Sequence, residues 1–176
     1  MLKILPAETE SQYGQIRELM AEYIEWDSSQ TRQAGLDPQE LLDFYYSGGE
    51  EALPGEFAPP EGCLLLASLS AEAAGCCAFR WLSADTCEMK RMYVRPEFRG
   101  RGVARRLAED LIATAREAGY RRMRLETTTF MQGAQALYST LGFRTCGPYY
   151  AIPQSFKAIT IFMELDLAAG EAQRSP

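Results

Sequence analysis

The chain has 176 residues, 47% of them hydrophobic, so it can bury a sizeable core, and one compact domain is the default expectation for this length. Its net charge of −6 argues against nonspecific nucleic-acid binding, although 12 of its 18 lysines and arginines fall between Arg80 and Arg124. This distribution indicates an anionic ligand that is held locally. No apolar run approaches the roughly 20 residues of a membrane span, and the segment before Pro6 is too short for a signal peptide. We therefore expect a cytoplasmic protein without a membrane partner.

The cysteines and histidines limit the chemistry further. Five cysteines make an odd count with no Cys-x-x-Cys pair, and the chain has no histidine. These counts argue against a zinc site and exclude a Cys–His nucleophile. Cysteines in strand-like apolar runs behave as small hydrophobes, so we expect no metal in this protein.

The first third of the chain reads as a strand followed by two helices. Leu2 and Ile4 alternate with a lysine in a short strand that ends at Pro6. Helical spacing of apolar residues predicts a helix over about 8–26. A second helix opens at Asp37, which offers an N-cap with proline at the next position and an acid three residues after the cap, and it stops at Gly48-Gly49. The proline-bearing segment that follows, 52–62, is a loop rather than a domain linker.

The remainder of the chain predicts a mixed sheet with one helical crossover. Strands over 63–69 and 74–82 form an antiparallel hairpin, and the chain then turns back into a strand over 87–94. A helix over 102–118 connects that strand to a parallel one over 123–128. A short helix and two final strands follow, at 132–141, 143–146 and 158–167. Residues 1–167 are thus predicted to form a single α/β domain, and 168–176 a frayed tail.

The strand-to-helix corner between 87 and 106 has the features of an anion site. Unpaired N–H groups of the first helical turn point out of the helix, and the helix dipole favours negative charge. Gly100 and Gly102 carry no Cβ that would keep a phosphate from the backbone. Arginine occupies four positions of this turn: Arg99, Arg101, Arg105 and Arg106. The predicted ligand is a phosphate.

Three kinds of phosphate loop can be compared with this corner. A Walker-type loop needs a Gly-Lys-Ser/Thr ending, which the chain lacks. A dinucleotide-binding fingerprint needs a third glycine where Arg105 stands, although Glu126 could imitate the ribose-binding acid, so this alternative is weakened rather than excluded. The third alternative fits directly. Arg99-x-x-Gly102-x-Ala104 resembles the R/Q-x-x-G-x-G/A signature of the GNAT superfamily of N-acetyltransferases.

The resemblance covers most of the chain from residue 63 to residue 167. Besides the signature it rests on the following segments: Glu-x-Lys-Arg-Met-Tyr-Val-Arg-Pro from Glu88, Ala-Gly-Tyr at 118–120, Ala-Leu-Tyr at 136–138, Leu-Gly-Phe-Arg at 141–144 and Phe-Met-Glu-Leu at 162–165. It implies the GNAT fold, a mixed central sheet with splayed parallel strands and flanking helices. It also implies acetyl-CoA as co-substrate and no metal.

The same resemblance assigns the co-substrate contacts. In the family, the backbone of the strand before the signature binds pantetheine and the thioester, which by position falls on Met92, Tyr93 and Val94. The pyrophosphate cradle, formed chiefly by main-chain N–H groups, falls on six consecutive residues: Arg99, Gly100, Arg101, Gly102, Val103 and Ala104.

Two side chains are the predicted catalytic groups. Glu88 stands eleven residues before Arg99, where several family members carry a base that takes the amine proton. The alternative is a structural ion pair with Lys90 or with an arginine on an adjacent strand. Tyr138 matches the family tyrosine whose phenol donates a proton to the CoA sulfur, and its alternative is a core aromatic beside Leu141.

The acceptor is less well specified by the sequence. In this fold it enters beside the first two helices and the loop between the last two strands, where Tyr149 and Tyr150 are the candidate substrate contacts. Aromatic residues with Glu25, Asp27 and Asp43 nearby would suit a cationic amine. The predicted function is direct acetyl transfer from acetyl-CoA to a primary amine of a small molecule or peptide. The alternatives are a non-catalytic acyl-CoA-binding module and a dinucleotide-binding oxidoreductase. The sequence leaves the oligomeric state open, a homodimer included.

Overall fold

A computed structural model describes residues 1–46 and 53–168 of the chain. Within these ranges seven strands form one sheet in the order β1-β2-β3-β4-β5-β7-β6, in which only the β4–β5 pair is parallel. The strands are β1 (Leu2–Pro6), β2 (Cys63–Leu69), β3 (Glu72–Ser83), β4 (Thr86–Val94), β5 (Arg122–Thr128), β6 (Arg144–Cys146) and β7 (Thr160–Asp166). The predicted α/β class with a mixed sheet is therefore confirmed.

Local sequence explains where the helices begin. The α-helices are α1 (Glu10–Gln33), α2 (Pro38–Tyr45), α3 (Val103–Glu117) and α4 (Gln132–Thr140). Thr9 caps α1 through a capping box with Gln12, and Asp37 caps α2 ahead of Pro38. None of the helices within the described residues combines the length and the apolar character that crossing a membrane would require.

Helices cover both faces of the sheet. Helix α3 buries Leu107 and Leu111 against one face, together with Leu65 of β2. Helix α1 buries Leu19 and Met20 on the other face, where Leu64 and Leu66 of β2 also lie. Because both faces are covered, β2 is a nearly continuous apolar run rather than an alternating one.

The predicted boundaries hold within a few residues except at α1. This helix continues seven residues beyond the predicted end at Trp26, to Gln33. Asp27 and Thr31 are buried in the added part, so the inward face of the helix continues with polar residues that carry no apolar signal. The predicted helix stop at Gly48-Gly49 and the tail residues 169–176 lie outside the described part of the chain.

Candidate active site

The two central parallel strands separate along their length. Strands β4 and β5 pair at three positions only, from Thr86↔Arg122 to Glu88↔Arg124, although β4 continues to Val94 and β5 to Thr128. A cavity of about 120 Å³ lies where they diverge. Its wall includes Met92 of β4 and Leu125 of β5. The predicted splay is therefore present, with room for a ligand between the strands.

A β-bulge in β4 turns additional side chains toward this cavity. On β3 the step from Cys76 to Ala78 spans two residues, whereas the paired step on β4, from Tyr93 to Lys90, spans three. The extra residue lies beside Arg91, whose φ is +59°. As a result, the three consecutive residues from Lys90 to Met92 all line the cavity, which an unbroken strand with alternating side chains would not allow.

The predicted pyrophosphate cradle forms the corner from the end of β4 into α3. Gly100 and Gly102 have φ values of +72° and +79°, and Gly102 is the N-cap of α3. No side chain of the described residues caps this helix, so the first-turn N–H groups, including those of Val103 and Ala104, remain available to an anion. A Cβ at either glycine would meet nothing within 4 Å. The protein needs glycine here for the left-handed backbone and not for space.

The four arginines of the corner differ in their contacts, and the guanidinium carbon of Arg101 lies 5.8 Å from the ring centroid of Phe98. Arg105 and Arg106 form i,i+4 ion pairs with Glu109 and Asp110, at 3.7 and 3.0 Å, on an exposed helix face. Arg99 instead donates its Nε–H to the Val94 carbonyl oxygen at 2.9 Å. Its guanidinium carbon lies 6.0 Å from the ring centroid of Tyr93. This bond fixes the loop to the end of β4.

The three predicted pantetheine-binding residues of β4 have side chains on different sides of the sheet. Met92 lines the cavity. The Tyr93 side chain points to the α1 face, where its hydroxyl donates to Glu22 at 3.3 Å. Val94 packs in the core on the α3 side. Tyr93 and Val94 could therefore contact a ligand in the splay through their backbone only, as the prediction requires.

Tyr138 lies in the cavity wall with 6% of its surface exposed. Its ring packs against Phe143 with centroids 5.7 Å apart, so part of its surface serves the core. Burial raises the pKa of this phenol, and the nearby thiol of Cys77 raises it further. The hydroxyl therefore stays protonated at neutral pH, which suits a proton donor.

Glu88 is held in a polar network outside the cavity lining. Its side chain is fully buried, and Arg80 contacts Oε2 through Nε and Nη2, each at 2.8 Å. The Tyr149 hydroxyl donates to Oε1 at 2.8 Å, and Lys90 Nζ is 3.9 Å away. This geometry favours the ion-pair alternative, with the arginine of the adjacent strand β3 as the main partner.

The two predicted acceptor contacts also lie outside the cavity lining. Tyr149 and Tyr150 pack edge-on against each other and against Phe162. Burial raises the pKa of Tyr149, with Glu88 as the next cause. Burial also raises the pKa of Tyr150, and the carboxylate of Glu126 is the next cause. The two tyrosines thus form an aromatic surface next to the carboxylates of Glu88 and Glu126.

Two carboxylates of the described residues line the cavity: Glu126, which was not predicted as a site residue of an acetyltransferase, and Asp27, which was predicted only as an acid near the acceptor. Glu126 of β5 accepts a hydrogen bond from Lys90 Nζ at 2.9 Å. Asp27 of α1 is 5% exposed, and the Tyr46 hydroxyl donates to its Oδ2 at 3.0 Å. Burial raises the pKa of Asp27 to about 6, against the lowering effect of that hydrogen bond. A sequence signal existed for Asp27, since the spacing of Ile16, Met20, Tyr23 and Asp27 is helical.

The remaining ionisable groups give no support to thiol or metal chemistry. All five cysteines are free, and burial raises the pKa of Cys63 to about 11 and that of Cys87 to about 12. These thiols are protonated at neutral pH and are poor nucleophiles. Among the residues that the structure describes, no cluster of three or more histidine, cysteine or acidic residues could hold a metal ion.

Comparisons with known proteins agree with this arrangement. Residues 16–143 match the acetyltransferase (GNAT) family, which is well over half of the chain. An uncharacterised N-acetyltransferase of Schizosaccharomyces pombe is 38% identical over 100 residues, which cover 56% of this chain and 61% of that protein. The match thus spans less than two thirds of that relative's length.

Solved structures show the same fold. A GNAT-family acetyltransferase from Staphylococcus aureus Mu50 superposes with a TM-score of 0.71 at 20% identity, covering 95% of this chain and 99% of the other. The Salmonella typhimurium protein yncA, solved with its cofactor acetyl-CoA, superposes with a TM-score of 0.63 at 21% identity, and 94% of each chain is covered. The family match extends over both the splayed strands and the signature corner, and the chain belongs to the acetyltransferase (GNAT) family.

Proposed function

We propose that the protein transfers an acetyl group from acetyl-CoA directly to a primary amine. The observation that carries this proposal is the uncapped N-terminus of α3, preceded by left-handed Gly102, at the end of the strand β4 whose separation from β5 opens a cavity. This corner and the splay together match an acyl-CoA, whose diphosphate and pantetheine arm need an anion site and a slot. A fold neighbour solved with acetyl-CoA supports the same choice of co-substrate.

The chain's own residues would bind, orient and move protons. First-turn N–H groups of α3 and the Arg99 guanidinium hold the diphosphate, and the splayed edge of β4 orients the pantetheine arm. Acetyl-CoA supplies the activated thioester when it is bound. Tyr138, protonated at neutral pH, donates its hydroxyl proton to the leaving sulfur.

The amine must lose a proton as its nitrogen forms the new amide bond. Glu126 is better placed to accept that proton than the predicted Glu88, because Glu126 lines the cavity and Glu88 does not. Lys90 Nζ donates a hydrogen bond to Oε1 of Glu126 at 2.9 Å and holds this carboxylate in place. Proton acceptance at Glu126 and donation at Tyr138 balance the transfer, so neither an acyl-enzyme nor a metal is needed.

The experiment is release of free CoA from acetyl-CoA, followed with a thiol reagent, over a panel of amines, aminoglycosides and peptides. Amine-dependent release, with the acetylated product seen by mass spectrometry, is the expected result. A thermal shift with acetyl-CoA but no release with any amine would indicate a binding module instead. Stabilisation by NADH and not by acetyl-CoA would indicate dinucleotide binding.

A further inference from the structure

Two buried polar side chains of α1 face the cavity with atoms that lack a partner. Asp27 and Thr31 lie one helical turn apart, are 5% and 1% exposed, and both line the cavity. Within the described part of the chain, Asp27 Oδ1 and Thr31 Oγ1 accept and donate no hydrogen bond. Buried polar atoms without partners cost free energy. A pair of them on one wall of a cavity therefore marks a place where a ligand supplies the missing bonds.

The carboxylate of Asp27 also has no cationic partner among the described residues. Among the described residues, the surroundings that act on Asp27 are burial, the Tyr46 hydroxyl and the carboxylate of Glu126, none of which is a cation. Of the two cationic side chains in the cavity wall, Lys90 contacts Glu126, and Arg91 lies over the ring of Tyr46, 5.4 Å from its centroid. A ligand that brings a positive charge to Asp27 would therefore neutralise a buried carboxylate.

The nitrogen that becomes acetylated must be neutral when it attacks. Its proposed proton acceptor is Glu126, so Asp27 remains available to a different group of the acceptor. The proposed proton donor and acceptor for the reaction, Tyr138 and Glu126, are on α4 and β5, whereas Asp27 and Thr31 are on α1. The wall of the same cavity also carries aromatic side chains, with Tyr23, Tyr45 and Phe130 among them. Aromatic faces suit methylene groups and cations alike.

We propose that Asp27 and Thr31 bind a second, protonated nitrogen of the acceptor, distinct from the one that is acetylated. The acceptor class is then a diamine, in which methylene groups span the aromatic part of the cavity. This inference rests on the acetyltransferase function proposed above and narrows its substrate.

The test compares each diamine with the monoamine of equal length at saturating acetyl-CoA. The pairs are 1,3-diaminopropane with propylamine, 1,4-diaminobutane with butylamine, and 1,6-diaminohexane with hexylamine. For at least one pair we expect kcat/KM to favour the diamine by roughly tenfold or more, as for a hydrogen bond to a buried charge. The preference should fall to near unity in Asp27→Asn and to an intermediate value in Thr31→Val.

Glu25→Gln is the matched control, because Glu25 is exposed on the same helix and loses the same charge. It should keep the diamine preference, and KM for acetyl-CoA should be the same in all four proteins. Equal kcat/KM for every diamine and its monoamine, or a preference that survives Asp27→Asn, would overturn the inference and leave the acetyltransferase standing. Absence of CoA release with every amine would overturn the proposed function and the inference with it.

Discussion

At the scale of single residues, Tyr138 combines burial with a position in the cavity wall. Its ring packs on Phe143, whereas its hydroxyl has no hydrogen-bond partner among the described residues. The resemblance predicted this tyrosine as a site residue, and the structure places it in the cavity wall, where burial raises the pKa of the phenol and the hydroxyl stays protonated at neutral pH.

We therefore expect Tyr138→Phe to lower kcat by roughly 100-fold, because the leaving thiolate loses its proton donor. The ring and its packing remain, so KM for acetyl-CoA and the midpoint of urea unfolding should stay close to those of the wild type. Steady-state kinetics and urea titration measure both. Tyr13→Phe, in the first part of α1 and outside the cavity lining, is the matched control and should leave kcat unchanged. A Tyr138→Phe enzyme with wild-type kcat would remove this residue from the mechanism.

The role of Glu88 cannot be decided from the motif alone. Its position on β4 was predicted, but the choice between base and ion pair depends on Arg80 and Tyr149, which come from a neighbouring strand and a distant loop. Such partners are fixed by strand register and by packing, neither of which is visible in the local sequence.

From this network we expect Glu88→Gln to cost about 1–3 kcal/mol of unfolding free energy, because the buried end of Arg80 loses its charged partner. Arg80 keeps Glu56, 2.7 Å away, which limits the loss. In steady-state kinetics kcat of Glu88→Gln should stay close to that of the wild type, whereas Glu126→Gln should lower kcat by roughly 100-fold, because the amine loses its proposed proton acceptor. If Glu88→Gln lowers kcat and Glu126→Gln does not, the two glutamates exchange roles.

At the scale of elements, the N-terminus of α3 depends on the backbone conformation of Gly102. Its φ of +79° is in the left-handed region, and the space around its Cα is open. Gly102→Ala should therefore cost about 1–2 kcal/mol through strain alone, and relaxation of that strain would turn the first-turn N–H groups away from an anion. We expect KM for acetyl-CoA to rise several-fold with little change in kcat, as measured by initial rates.

The control for the Gly102→Ala variant is a glycine-to-alanine substitution within another helix. Gly14 is in α1, and a Cβ there also meets nothing within 4 Å. Gly14→Ala should raise the unfolding free energy by about 0.5–1 kcal/mol and leave KM unchanged. An unchanged KM in Gly102→Ala would mean that the corner does not hold the diphosphate.

Element boundaries were predictable wherever the apolar periodicity continued to the end of the element. In α1 the apolar periodicity ends before the helix does. Its inward face runs through Met20 and Tyr23 and continues with Asp27 and Thr31, because this end of the helix faces the cavity rather than the core. A pattern search that counts apolar residues stops at Trp26 for that reason. The part of the helix that the sequence missed is the part that carries the proposed acceptor site.

At the scale of the whole molecule, the sequence predicted the α/β class and the crossover, since these follow from hydrophobic pattern and right-handed connection rules. The extent of the separation between β4 and β5 was harder to predict from the sequence. It depends on where β4–β5 pairing ends and on the bulge beside Arg91. Both are properties of three strands packed together. Consequently the wall of the cavity, and with it Glu126 and Asp27, could not be assembled from motifs.

A buried carboxylate in the wall should also affect the stability of the whole fold. Burial raises the pKa of Asp27 from 3.8 to about 6, so the folded protein binds one more proton than the unfolded chain between these values. The stabilisation from this group is complete below pH 4 and is lost as the pH rises through 6. The wild type and the Asp27→Asn variant share the other groups that interact with position 27, namely Tyr23, Tyr46 and Glu126.

We expect Asp27→Asn to remove this dependence and to be more stable than the wild type at pH 8, by up to about 3 kcal/mol for a shift of about two pH units. At pH 4 the two proteins should be nearly equal, because Asp27 is then neutral. Urea unfolding at pH 4, 6 and 8 gives the difference directly, and other titrating groups cancel in it. A constant difference across this range would mean that the carboxylate has a partner in solution. A gain in stability together with lost diamine preference would show that α1 gives up stability to bind its ligand.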